Sequence, residues 1–182
     1  MERNEALKLV KANVTNKNLV KHMLAVEAIM RRLAKHFGED EEKWGLVGLV
    51  HDLDYEQSDM NTHGLKTAEM LEGKVDKELL DAIRAHNYEN NGFRKPETKM
   101  EKALIAADAV SGLAVAAALV MPDKKISQVR VETMLNKFKQ KDFARRVSRE
   151  NIRLCEELGL TLEEFFKLTL EALQGISEEL GL

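Results

Sequence analysis

One cysteine, Cys155, occurs in 182 residues, so no disulfide can form within the chain and burial must hold the fold together. A reducing, cytoplasmic setting is the expectation. Cys155 follows Leu154 with no histidine beside it, and reads as a packing residue rather than a nucleophile. Only two prolines occur, Pro96 and Pro122, which leaves long stretches free to run as helix. No glycine-rich phosphate loop is present, which removes kinases and P-loop enzymes from consideration. Neither sign of charge dominates, since 28 basic and 31 acidic residues give a net charge of −3; no basic excess is available for wrapping nucleic acid. The longest apolar run, Ala109–Met121, is shorter than the roughly 20 residues a bilayer requires. Met1 to Glu5 is charged and no apolar stretch follows closely, so no secretion signal is expected in these residues. Neither nucleic acid nor membrane is therefore an expected partner, a small anionic ligand could still be held by a local basic cluster, and oligomeric state stays open.

What is abundant is Ala, Leu, Glu and Lys, residues that lose little rotamer freedom in a helix. Apolar residues recur at helical spacing through Leu19, Val20, Met23, Leu24, Val26, Ile29, Met30 and Leu33, after a cap at Thr15 or Asn16 and before Gly38. A third helix starts from Gly38-Glu39-Asp40 and ends near His51-Asp52. Thr62 is the expected cap of a helix that stops at Gly73, and Asp76 of one ending at His86. Asn87–Glu97 reads as loop. Thr98-Lys99-Met100-Glu101 is a capping box that opens the most apolar helix, and Thr161-Leu162-Glu163-Glu164 is another. Ser127 and Ser148 are the expected caps between them. Met23, Met30, Met60 and Met70 read as core. No segment alternates with period two, so the expected fold is all-α: a compact helical bundle, one domain over 1–182, with its core in about 16–121 and a C-terminal helical extension in 126–182.

Four histidines and two aspartates stand at suggestive places. His22 lies mid-helix, His51-Asp52 closes a helix, His63 and His86 flank the next two, and Asp108 interrupts the most apolar helix. Each has an ordinary explanation alone: a core histidine, or one favoured by a helix C-terminus. His36 has only the latter. Asp108 is harder to dismiss, because Leu104, Ile105, Ser111 and Gly112 surround it on its helix and offer no cation. Buried carboxylates need a partner, and a bound metal would supply the missing charge; a long-range salt bridge to an Arg or Lys, or exposure on a face of small residues, would also explain Asp108. Together these residues are the donors expected for Zn, Mn, Fe, Co or Ni, and the carboxylates also suit Mg. Adjacent on a helix, His51 and Asp52 point about 100° apart. They grip one ion only at a frayed end, or Asp52 reaches between two ions.

The order His22, Leu49-Val50-His51-Asp52-Leu53, then Asp108 after Ala106-Ala107 resembles the HD-domain superfamily of metal-dependent phosphohydrolases. The stretch His63-Gly64-Leu65-Lys66-Thr67-Ala68 is similar to the His-containing helix start of its two-metal members, and Ala85-His86-Asn87 to their next ligand. The resemblance covers about residues 18–121. One departure is that many relatives read His-Asp-Ile-Gly where this chain reads His51-Asp52-Leu53-Asp54. The resemblance implies that His22, His51, Asp52 and Asp108 hold a first divalent ion, and that Asp52 bridges to a second held by His63 and His86.

It also implies attack of metal-activated water on a phosphomonoester or phosphoanhydride, with a nucleotide as the first substrate class. Asp52, Lys66 and Asp54 are the catalytic candidates, with Glu27 a further candidate base. Lys66, Asn87, Arg145 and Arg146 are the candidates for substrate binding. The last two belong to a basic cluster with Lys137, Lys139, Lys141 and Arg149, which otherwise reads as a solvated face. Two other functions fit the same donors: a two-iron oxygenase of the same fold, and a non-catalytic binding or sensor module.

Overall fold

The computed structural model describes residues 1–182 as eleven α-helices without a strand, the expected all-α class. They are α1 Arg3–Asn13, α2 Lys17–Phe37, α3 Glu41–Val50, α4 Leu65–Leu71, α5 Lys77–Ala85, α6 Tyr88–Asn91, α7 Lys99–Leu119, α8 Val131–Lys139, α9 Arg149–Glu157, α10 Leu162–Gln174 and α11 Ser177–Leu180.

Side-chain caps set most of the helix starts. Asn16 accepts from the Asn18 N–H, Asp40 from Glu42 and Lys43, Asp76 from Leu79, and Ser148 from Asn151. Thr98 and Thr161 form the two expected capping boxes. Each such cap contributes about 1 kcal/mol by satisfying an orphan N–H. Two expected caps are misplaced. Thr62 is spent on Asp59 in a turn, and α4 begins only after Gly64, whose φ of +84° suits a residue without Cβ. Ser127 lies in a 3₁₀ turn over Ile126–Gln128, and α8 starts after Arg130.

The packing centre is α2 against α3 and α7. Gly48 makes the first contact close, because a Cβ there would lie 2.9 Å from backbone atoms of Glu27 and Val26. Helix α7 runs 21 residues, about 31 Å at 1.5 Å per residue. It is longer than the apolar run alone indicates, and by length and composition it passes for a membrane span; yet 61% of its most apolar window is buried in the bundle, as a central core helix requires. Helices α8, α9 and α10 pack on α7, and α10 and α11 reach α2. Met23 and Met30 are buried as expected, whereas Met60 is 53% exposed, because it lies in the turns between α3 and α4.

Candidate metal centre

Six donors converge where α2, α7 and the ends of α3 and α5 meet. His22 comes from α2 and Asp108 from α7. His51 and Asp52 follow directly on α3, His63 sits just ahead of α4, and His86 caps α5. They form two triads: His22, His51 and Asp108 in one, Asp52, His63 and His86 in the other. Within each, the ligand atoms lie within 4.8 Å of one another.

The ring orientations are fixed from behind. His51 Nδ1 donates to the Gly48 carbonyl at 2.8 Å, and His86 Nδ1 to the carbonyl of Ile83. His63 Nδ1 donates to Asp54 Oδ1 at 2.7 Å. The Ser111 hydroxyl donates to the Asp108 carbonyl at 2.8 Å and so accepts from His22 Nδ1 at 3.1 Å. All four rings therefore commit Nδ1–H to a neighbour, and each neutral ring is left with a lone pair on Nε2.

Those lone pairs point at each other and at carboxylates. His22 Nε2 lies 3.1 Å from Asp108 Oδ1 and 3.5 Å from Asp52 Oδ2. Asp52 Oδ1 lies 3.3 Å from His51 Nε2, 3.2 Å from His63 Nε2 and 3.6 Å from His86 Nε2. His63 and His86 Nε2 are 3.0 Å apart. Lone pairs at such distances repel unless a shared proton or a metal cation lies between them. Two nitrogens at right angles on an ion with bonds of about 2.1 Å would themselves be about 3.0 Å apart. His51 Nε2 is fully buried without a hydrogen bond, a cost of about 1–3 kcal/mol that an ion would relieve. The donor set thus fits divalent metal, with Asp52 reaching both triads.

Burial and charge pairing act differently on the donors: they favour ionised aspartates and a neutral His51, but draw His22 and His63 toward the protonated form. Burial pushes His51 down, against the pull of Asp52 and Asp108, and so favours the neutral imidazole. Burial would raise Asp52, but His51, His63, His86 and His22 hold it well below the usual carboxylate range. Burial likewise opposes the lowering of Asp108 that His22 and His51 impose. For His63, burial is outweighed by hydrogen bonds to Asp52 and Asp54, which hold its proton up to about 9; an ion at Nε2 has to displace that proton. For Asp108, the partners are these histidines and no Arg or Lys.

The expected site residues separate into those at the cleft and those behind it. A polar cleft of about 1170 Å³ opens over the two triads and is lined by His22, Asp52, His63, His86 and Asp108, together with Asn87 and Arg146. Asp54 does not face this cleft. It is buried, accepting from His63, Gly64 N and Thr67 N, so it orients His63 rather than meeting substrate. Lys66 also misses the cleft, because the first turn of α4 directs its ammonium to the Gln57 carbonyl at 3.1 Å. Asn87 is buried and committed, donating to Met60 and His63 carbonyls and accepting from Asn90. Arg145 does not line the cleft. Glu27 lies elsewhere, buried between Arg3 and Arg31 at 2.9 and 3.2 Å.

Sequence reasoning missed Ser111, although a lone hydroxyl three residues after Asp108 in an apolar helix was its signal. It also missed the rim residues Tyr55, Tyr88, Asn90 and Asn151, which come from turns and distant helices and share no pattern.

The family model described as HD domain matches residues 19–113, just over half of the chain, and spans all six donors, from His22 to Asp108. No curated protein and no solved structure matches. With its ligand order, its all-helical fold and that match in agreement, the chain belongs to the HD domain family.

Proposed function

We propose that this protein is a metal-dependent phosphohydrolase acting on a small phosphomonoester or phosphoanhydride, with a nucleotide as the first substrate class. The observation that carries the reading is the set of four outward Nε2 lone pairs and two carboxylates beneath an open polar cleft. Charge supports two ions over one. The lining carries four carboxylates (Asp52, Asp108, Glu56 and Glu89) and one guanidinium, a formal −3 with neutral histidines. One divalent ion leaves −1, which repels an anion; two give +1, which attracts it.

When bound, the ions supply Lewis acidity toward water and phosphoryl oxygens. The chain supplies the rest. Asp52 spans both triads and fixes their separation, while Gly48, Ile83, Asp54 and Ser111 hold the rings. Tyr55 and Tyr88 on the rim offer flat faces to a base or sugar, and Arg146 offers charge to a phosphate. A cytoplasmic location and a small-molecule partner, without nucleic acid or membrane, go with this reading.

The test is turnover by purified protein loaded with Mn, Fe, Co, Ni, Zn or Mg against nucleotides and generic phosphoesters. Hydrolysis lost in His51→Ala is expected; bound metal without turnover of any phosphoester contradicts the reading. One observation favours a second reading, a two-iron oxygenase: all four histidines and both aspartates enter the centre, a donor set that suits iron. Iron after anaerobic purification, with oxygen uptake on adding an organic substrate, would select it.

A further inference from the structure

The family match ends at residue 113, and the helices beyond it meet the cleft through Arg146 and Asn151 alone. Arg146 sits in the loop 140–148 between α8 and α9. That loop is wrapped around one side chain. The Arg149 guanidinium donates to the carbonyls of Phe143, Ala144, Val147 and Gln140 at 2.6, 2.9, 3.0 and 3.1 Å. It also reaches Lys137 and Phe138 at the end of α8, both at 3.3 Å. No carboxylate pairs with it, so all its donors are used on backbone.

Two further features pin the loop. Ala144 has φ +45°, a left-handed conformation that costs an L-residue about 1–2 kcal/mol and persists only where neighbours impose it. Val147 packs against Gly112, one turn beyond Asp108 on α7. The result is that Arg146 is held on the cleft wall while its own guanidinium has no hydrogen bond and no ion pair. It is the one Lys or Arg among the lining residues.

We propose that the loop 140–148 is the phosphate-binding element of the cleft, with Arg146 receiving the substrate's phosphoryl oxygens and Arg149 as the positioning residue that holds Arg146 there. The inference rests on the phosphohydrolase reading for its substrate. It gives the C-terminal extension a purpose: to bring a cation to a site whose other groups are acidic or neutral. A guanidinium suits this task because its planar fork matches phosphate oxygens in pairs.

The experiment uses full-length, metal-loaded protein, the best phosphoester found by screening, and inorganic phosphate as a second probe followed by calorimetry and product inhibition. Arg146→Ala should raise KM and the phosphate inhibition constant by about tenfold or more, with kcat and metal content little changed, and Arg146→Lys should recover part of the loss. Arg149→Ala, once shown to melt cooperatively, should give the same KM shift, and the Arg146→Ala/Arg149→Ala double variant should be no worse than the weaker-binding single. Additive losses would make Arg149 merely structural and overturn its assigned role. Lys141→Ala, an exposed charge in the same loop, should change neither constant. Unchanged KM and phosphate affinity in Arg146→Ala would overturn the proposal while leaving hydrolysis intact. If the wild type hydrolyses nothing, the hydrolase reading fails, and calorimetry with phosphate still decides the loop: binding lost in Arg146→Ala supports it, and binding retained or absent in wild type overturns it.

Discussion

Replacing Gly48 by alanine sets two effects of opposite sign against each other. In an exposed helix interior, alanine is favoured over glycine by about 1 kcal/mol. Here the added Cβ would lie 2.9 Å from Cα and N of Glu27 and from the Val26 carbonyl carbon, whereas ordinary contact begins at 3.4 Å. These are backbone atoms of α2, and no rotamer change moves them, so α3 must retreat by about 0.5 Å. Overpacking of this kind costs about 1–3 kcal/mol, and contact with rigid backbone puts it at the upper end. The net effect is a loss of about 1–2 kcal/mol, or about 2–8 °C in Tm for a chain of this size. The same retreat carries His51 away from His22, since the residue 48 carbonyl holds His51 Nδ1; metal affinity should fall about tenfold. Thermal melts of metal-free protein and calorimetric titration with Mn or Co measure both. Gly112→Ala is the contrast: its Cβ meets only Val147 Cγ2, at 3.1 Å, a side chain that can yield, so stability should stay within about 0.5 kcal/mol. A Gly48→Ala protein that melts at or above wild type would mean that α3 and α2 are not in rigid backbone contact at this position.

Asp54→Ala should weaken metal binding at the His63 triad by about 10–100-fold while the His22 triad keeps its ion, read by titration; equal loss at both would contradict a role confined to His63. Glu101 is buried and held below its ordinary value of 4.5 because Arg94 and the Glu97 and Thr98 N–H groups outweigh burial. A depressed carboxyl stabilises above its unfolded pKa and loses that contribution as pH falls through the folded one, so the deficit of Glu101→Gln in denaturant should be full near pH 7 and shrink below about pH 4. A deficit that ignores pH would be evidence against the ion pair. Burial pushes the Cys155 thiol up to about 12, so native protein should resist iodoacetamide near neutral pH and react on unfolding; fast native labelling would contradict its burial.

What could be read from the chain divides along the range of the interactions. Caps act over three residues, and Asn16, Asp40, Asp76, Thr98, Ser148 and Thr161 were legible for that reason. Thr62 carries the same local chemistry but uses it in a turn with Asp59, ahead of Gly64, and Ser127 lies inside a 3₁₀ turn before Arg130 precedes α8. The six candidate donors were legible as an order along the sequence, and the structure gathers them into two adjoining triads. The groups behind them were not. Asp54 looked like an acid near the metal, yet Thr67 and Gly64 close over it and leave only His63 to serve. Lys66 and Arg146 were equal candidates by composition; helix phase sends one to Gln57, and Arg149, contacting backbone up to 12 residues back, turns the other to the cleft.

If the two triads hold two ions through Asp52, as proposed, elemental analysis of metal-reconstituted protein should find two ions per chain in wild type, one in His51→Ala and one in His63→Ala, and none in Asp52→Ala. Metal content that stays unchanged in all three variants, or a folded wild type that takes up none, would contradict the proposal.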